Sequence, residues 1–315
     1  MKLRIGHLST FYHTAIILMA EDVLTKTLGM DAKWKLFGTG PAIVDAFKRK
    51  ELDLAYIGLP PAVIGISKGV EIVCVAGGHM EGTVIAGRKE FAGFPAQEDL
   101  GPILGQFRGR KIGVPGKGSI HDVILSECLE RYGLAKKITV INFPWADQVT
   151  EAVVRGEVSA AVGTPALAVA IRRFAQGKIL YPPSRLWPNN PSYGIMVDKD
   201  FLEREKKTVE RFLMMHEDAT SLIRNRPRLA ARIISDFVGF IDDEFVMETL
   251  KVSPKYCARI TDGFVASTME FVKVLKKLGY IEREITSDEI FDTSLINRIH
   301  PTQDHYGDGI SNVVS

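Results

Sequence analysis

Four short turns carry the groups in this chain that could hold a ligand. They are Ser9-Thr10-Phe11, Gly38-Thr39-Gly40-Pro41, Gly58-Leu59-Pro60-Pro61 and Gly116-Lys117-Gly118-Ser119. Glycine lets a backbone N–H approach a bound group closely, and Ser or Thr offers a hydroxyl to a ligand or to the helix that follows. Taken singly, each hydroxyl is more often an ordinary helix cap. Together they describe a cleft for a polar or anionic molecule, met by free N–H groups at helix starts. No arginine lies in any of the four turns.

Other chemistries find less support in the spacing. Gly116-Lys117-Gly118-Ser119 lacks the spacing of a nucleotide phosphate loop, and no Gly-x-Gly-x-x-Gly follows a strand. There is no Gly-x-Ser-x-Gly elbow and no carboxylate pair at a strand end, so no catalytic residue is assigned. His7, His13, His79 and His121 fall near strand ends or helix starts but match no compact metal motif. His79 and His121 fit better as neutral hydrogen-bonding lining or as ordinary surface or core histidines. Cys74, Cys128 and Cys257 are far apart and read as small buried hydrophobes. No metal and no organic cofactor is expected. Phe11, Tyr56, Trp145 and Tyr193 are either aromatic walls of such a cleft or core fillers.

These turns need elements to position them, and the pattern supplies strands alternating with helices. Strands are expected at Lys2–Leu8, Ala32–Phe37, Leu52–Ile57, Glu71–Ala76 (ended by Gly77-Gly78), Thr83–Ala86, Arg110–Val114 and Tyr193–Val197. Helices are expected over 14–28, 41–50, 62–68 and 119–132, and residues 88–108 read as an irregular connection. From Phe201 to about Arg298 the chain is mostly helical, and the last fifteen residues read as a loose tail. In open parallel sheets, ligands bind beyond the carboxyl ends of the strands, where all four turns lie.

The segment from Phe37 to Pro60 resembles the segment from Phe143 to Pro165. Phe37, Ala46 and Glu51 match Phe143, Ala152 and Glu157 at an offset of 106, and Gly58 and Pro60 match Gly163 and Pro165 at 105. The pattern fits two lobes of similar construction, although chance similarity of two βαβ units gives it too.

Composition bounds the partners. At 315 residues the chain has room for about two domains. Its 46% hydrophobic and 25% charged residues are ordinary globular usage, which excludes a disordered chain. Forty Lys and Arg against 38 Asp and Glu leave +2, so no nucleic-acid partner is expected. No stretch has the length of a membrane span. His7, Ser9, His13 and Thr14 interrupt the apolar run near the N-terminus, which reads as strand and helix rather than as a signal peptide.

The run Gly38-Thr39-Gly40-Pro41, a helix, Glu51-Leu52-Asp53-Leu54-Ala55-Tyr56-Ile57 and Gly58-Leu59-Pro60-Pro61 resembles type II periplasmic solute-binding proteins. In particular it is similar to the nitrate, sulfonate, taurine and thiamine-precursor (NMT1/THI5-like) branch of ABC importer receptors. The stretch from Phe107 to Ser119 resembles the start of that family's second lobe, and the likeness covers roughly residues 2–200. It implies an α/β fold of two lobes with a helical C-terminal extension packed on lobe one. Lobe one would be 1–84 with 190–315, lobe two 85–189, and the two would join near 83–88 and 187–194. It implies a ligand lining of Ser9, Thr10 and Phe11 after the first strand, Gly38, Thr39 and Gly40 at the second helix, and Leu59 and Pro60 after the third strand. His79, Gly118, Ser119, Ile120, His121, Thr164 and Tyr193 complete it. Gly163-Thr164-Pro165 stands where many relatives carry an acidic-aromatic-x-Pro cluster.

The function implied is a monomeric, non-catalytic receptor. It captures a small anionic or zwitterionic ligand by hinge closure and docks transiently on an ABC permease. The alternative is an enzyme of the same fold in thiamine- or menaquinone-type cofactor biosynthesis. A receptor would be extracytoplasmic, with its signal removed; a native start at Met1 would place the chain in the cytoplasm.

Overall fold

The computed structural model describes residues 2–8, 10–20, 22–29 and 31–310. The chain first lays down β1 (Lys2–Leu8), α1 (Thr14–Ala20), α2 (Val23–Leu28), β2 (Asp31–Phe37), α3 (Gly40–Lys48), β3 (Leu54–Ile57), α4 (Leu59–Ser67) and β4 (Ile72–Met80). It then crosses to build β5 (Val84–Arg88), α5 (Leu100–Gly105), β6 (Lys111–Pro115), α6 (Ile120–Arg131), β7 (Thr139–Phe143), α7 (Ala146–Val154), β8 (Ala160–Gly163), α8 (Pro165–Phe174) and β9 (Gly177–Tyr181). After α9 (Pro183–Leu186) it returns as β10 (Pro191–Asp198). It ends in α10 (Lys199–Arg204), α11 (Lys206–Asn225), α12 (Pro227–Val238), α13 (Asp243–Val252), α14 (Asp262–Lys277), α15 (Ser287–Ile290) and α16 (Ile296–Ile299).

The two sheets, ordered β2-β1-β3-β10-β4 and β7-β6-β8-β5-β9, follow one plan. Three parallel strands are followed by one that has crossed from the other half and runs antiparallel to both neighbours. The internal similarity maps onto this plan. Phe37 and Phe143 end β2 and β7, α3 and α7 have nine residues each, and β3 and β8 have four each.

Burial follows from layering. β4 and β10 are buried along their whole length because helices cover both faces. On one face, Leu3, Ile5, Tyr56 and Val75 pack against Phe212, Ile223 and Ile234 of α11 and α12. On the other, Phe47 and Val63 join a cluster that continues through Phe264 and Phe271 of α14 to Val123 and Ile124 of α6. The C-terminal helices therefore cover the first sheet and also reach the second half of the molecule, α14 against α6 and α13 against α8.

The local departures from the sequence reading have physical causes. The helix expected over 14–28 breaks into α1 and α2 at Asp22, whose φ of 48° is left-handed. The strand expected to stop at Gly77-Gly78 runs through to Met80, because β10 pairs with it there, Tyr193 opposite His79 and Pro191 opposite Met80, and Gly78 leaves room for the Tyr193 ring. Residues 100–105 form a short helix in the expected irregular stretch. The tail is anchored as far as Tyr306, whose buried hydroxyl donates to the carbonyls of Cys257 (2.7 Å) and Arg259 (3.0 Å).

Candidate functional site

Five helices of nine residues or more begin around one small cavity between the sheets. These are α3 and α4 from the first half and α6, α7 and α8 from the second. The cavity encloses about 50 Å³, room for about four water-sized atoms. Gly38, Thr39 and Gly40 line it at the start of α3, with Gly58 and Pro61 at α4 and Ala146 at α7. Pro115, Ser119, Ile120 and His121 close the α6 side, and Thr164 the α8 side. Leu8, Thr10, Tyr12, His13 and Ser192 form the back. No Lys, Arg, Asp or Glu side chain is in this lining.

The hydroxyls divide into two kinds. Ser119 Oγ accepts from the Asp122 N–H (3.2 Å) and donates to the Pro115 carbonyl (2.5 Å). Thr164 Oγ1 accepts from the Leu167 N–H at 3.2 Å. Both are caps. Thr39 is the N-cap of α3, yet its side chain makes no cap bond; the N-cap of α4 is Gly58, which has no side chain to give one. The α3 end therefore keeps the N–H groups of Gly40 and Ala42 and partial positive charge beside the cavity, whereas at the α4 end Pro60 and Pro61 carry no N–H and Leu59 is the donor of its first three residues. The α6 end differs. There the Asp122 carboxylate accepts from Gly118 N–H (2.7 Å), Asn142 Nδ2 (2.9 Å) and Tyr280 Oη (2.6 Å), so a negative charge already offsets that terminus.

Two buried polar atoms of the back wall, Thr10 Oγ1 and His13 Nδ1, have no hydrogen-bond partner among the described residues. Each such group costs free energy until something satisfies it. His13 is held neutral, its pKa well below the usual histidine value because of burial and the neighbouring histidines. Burial alone lowers His121 to about 3, and its Nδ1 lies 3.0 Å from Thr83 Oγ1. The wall is thus polar and uncharged. Tyr12 Oη and Ser192 Oγ pair at 3.2 Å, leaving one hydrogen between them free to turn inward.

Of the expected lining, Thr10, Gly38, Thr39, Gly40, Ser119, Ile120, His121 and Thr164 surround this cavity. Six positions do not. Phe11 turns to the outer surface, edge-on to Phe240 and Phe245. Leu59 is in the core and Pro60 is buried beside it; their neighbours Gly58 and Pro61 face the cavity instead, because the first helical turn rotates successive side chains away. His79 faces the C-terminal segment, with Nε2 2.7 Å from the Ser253 carbonyl and the ring 4.5 Å from Tyr256. Gly118 has φ +79° and its N–H is taken by Asp122, so it serves the turn. Tyr193 lies over Gly78, its hydroxyl 3.4 Å from Thr14 Oγ1. Ser9 lies outside the described residues. The expected lining omits Tyr12 and His13, which directly follow the first turn, and Ser192, which precedes Tyr193, although His13 is weighed there as a metal ligand. Their signal was adjacency alone.

The halves meet tightly at this site. A Cβ on Gly38 would stand 2.3 Å from the Pro144 carbonyl oxygen, and one on Gly116 2.6 Å from Thr39 Cγ2. Around the rim, Arg172 and Arg173 of α8 pair with Glu248 of α13, and Arg173 also pairs with Asp242 at 2.9 Å.

Two similar α/β sheets with a polar cavity between them define the class: a two-lobed ligand-binding fold of the periplasmic-binding-protein type. The fold is shared with the alkanesulfonate-binding protein SsuA of Xanthomonas axonopodis pv. citri, solved bound to MOPS. That likeness has TM-score 0.78 at 15% identity over 92% of this chain and 98% of that one. It is shared also with the periplasmic nitrate-binding protein NrtA of Synechocystis PCC 6803, with TM-score 0.76 at 14% identity over 99% and 91%. The chain belongs to the NMT1-like family, whose model matches residues 1–235. A Brucella abortus protein that carries only a provisional description as a binding protein is 25% identical over 242 residues, 76% of this chain and 72% of its own length.

Proposed function

We propose that this chain is the solute-binding receptor of an ABC importer, holding a small anionic or zwitterionic ligand between two lobes. One observation carries the reading. The uncapped start of α3 and the unpartnered Thr10 Oγ1 and His13 Nδ1 line one cavity walled by both halves of the molecule. Helix termini attract an anion by about 0.3–1 kcal/mol each, and hydrogen bonds to a charged ligand add about 1.5–3 kcal/mol apiece. Micromolar affinity needs about 8 kcal/mol net of the cost of association, so several such bonds must act together. Lobe one is residues 1–84 with 190–315 and lobe two is 85–189. Closure brings Pro115, Ile120, His121 and Thr164 onto a ligand already seated on lobe one. The closed form then docks on a permease outside the cytoplasm, as the names of the sulfonate- and nitrate-binding neighbours support.

Thr39→Ala tests the reading. Calorimetric titration with nitrate, acetate, ethanesulfonate and glycine should find at least one ligand of the class. The variant should bind it about five- to a hundredfold more weakly, as expected for one lost hydrogen bond to a charged group. Equal affinity in both proteins refutes the α3 terminus as the site.

A further inference from the structure

Helix α14 has sixteen residues, about 24 Å of rise, and its two ends meet different parts of the molecule. Its first turns lie at the second connection between the halves. A Cβ on Gly263 would stand 3.7 Å from the Asn189 side chain, the Trp187 ring stacks on Phe271 at 4.2 Å, and Trp187 Nε1 donates to Ser267 Oγ at 3.2 Å. Both connections pass through a left-handed residue that is not glycine, Glu81 (φ 60°) and Asn189 (φ 57°). Such a backbone persists only where its surroundings hold it, and it is common in parts that switch. Here the Glu81 carboxylate holds both strands, accepting from the Asn189 N–H at 2.9 Å and pairing with Lys255 at 2.8 Å.

The far end of α14 reaches α6 of the second half. Lys277 Nζ lies 2.8 Å from Glu127 Oε2, and just beyond the helix Tyr280 Oη donates to Asp122 Oδ2 at 2.6 Å. Both carboxylates are buried, and Glu127 also meets Arg131 of its own helix at 3.7 Å. Asp122 Oδ2 in turn holds the Gly118 N–H. A Cβ on Gly118 would stand 3.6 Å from Ile64, 3.7 Å from Tyr280 and 3.8 Å from Pro41, so the turn that brings Ser119 and Ile120 to the cavity is seated against the first half. Because α14 itself packs on α4 and β10, its grip on α6 has to be released whenever the second half swings away.

We infer that Tyr280 and Lys277 are positioning residues for closure, a latch by which the C-terminal extension holds lobe two through Asp122 and Glu127 before a ligand arrives. None of the four lines the cavity. Tyr280 acts on it through Asp122 and the Gly118 turn, and Lys277 through the body of α6. The latch sets how many ligand-free molecules already have the competent arrangement, and apparent affinity scales with that fraction. It rests on the two-lobe hinge of the receptor reading and not on the identity of any ligand.

The test is the distance between spin labels at Lys48→Cys on α3 and Lys136→Cys beyond α6, read by pulsed electron paramagnetic resonance on the full chain without ligand. Both positions are exposed and Cys74, Cys128 and Cys257 are buried, so the labels stay where they are placed. The otherwise native chain should show a closed and an open distance. Tyr280→Phe should lower the ratio of closed to open about tenfold, the low end for one hydrogen bond to a charged group. Lys277→Met should lower it about two- to fivefold, as for a half-exposed ion pair, and serves even where Tyr280→Phe does not fold. Lys273→Met, whose partner Glu270 is on the same helix, should leave the ratio unchanged. A lower Tm with an unchanged ratio in both latch variants makes the contacts merely structural and overturns the inference. So does a ligand-free chain with no closed population. One closed distance in every variant means a fixed joint between the halves and overturns the hinge as well. Failure to bind any of the four titrated compounds strikes the receptor reading and leaves the distances to decide the latch.

Discussion

Ser119 and Thr39 occupy equivalent places in their turns, yet their hydroxyls are engaged differently. Ser119 both accepts from its own helix and donates to the Pro115 carbonyl, so its hydroxyl hydrogen is committed inside the protein. Thr39 caps nothing. Ser119→Ala should therefore act on stability. The loss is about 1 kcal/mol for the cap, or roughly 2 °C in Tm for a chain of this size, measurable by calorimetry. Ligand affinity should stay within about twofold, because the bonds lost are not to the ligand. A Ser119→Ala protein with unchanged Tm and sharply weaker binding would reverse the two roles.

At the scale of elements, the contact between the α3 turn and the α7 turn depends on the missing side chain of Gly38. The Cβ of an alanine there would stand 2.3 Å from a backbone oxygen, Pro144 O, and 3.0 Å from the Trp145 ring. Backbone cannot swing aside as a flexible side chain does, and the Gly38 φ lies outside the left-handed region, so alanine is tolerated locally. Gly38→Ala should fold normally but hold the two halves apart. Trp145 emission should shift to the red, and affinity should fall by about tenfold or more, since closure around the ligand is hindered. Wild-type emission and affinity together would show that the halves need not meet here.

The whole molecule carries a set of buried neutral histidines behind the cleft. Burial takes His79 and His216 down to about 4 and His121 to about 3, and holds His13 well below its usual value. In the unfolded chain each titrates near 6.5. Below that pH the unfolded state binds more protons than the folded one, so stability falls with falling pH until the folded values are reached. Each histidine contributes a slope of up to about 1.4 kcal/mol per pH unit. Salt-bridged carboxylates such as Glu51 and Glu289, held at about 2 by their arginine and lysine partners, lose their contribution only at lower pH. Scanning calorimetry should show Tm dropping steadily from pH 7 to pH 5. A flat Tm over that interval would mean that these rings reach solvent in the folded protein.

Much of this architecture is local and was therefore legible in the chain. Turn glycines, capping hydroxyls and the alternation of apolar runs set the elements, and the match of Phe37–Pro60 with Phe143–Pro165 announced two βαβ units that the two sheets then display. The gathering of Thr10, Thr39, Ser119 and Thr164 followed from one rule, that turns at the carboxyl ends of parallel strands share an edge. Tertiary structure alone decided which atoms of those turns face the cavity. Whether a hydroxyl caps its helix, as at Ser119, or does not, as at Thr39, is settled by the packing around each turn, and no sequence pattern encodes that. The orientation of His79 and Tyr193 was equally hidden, because it depends on the space left by Gly78 and on a C-terminal carbonyl 174 positions away in the chain. The Phe11 ring meets that of Phe240, and contacts of that range arise only when the lobes and the C-terminal helices are assembled.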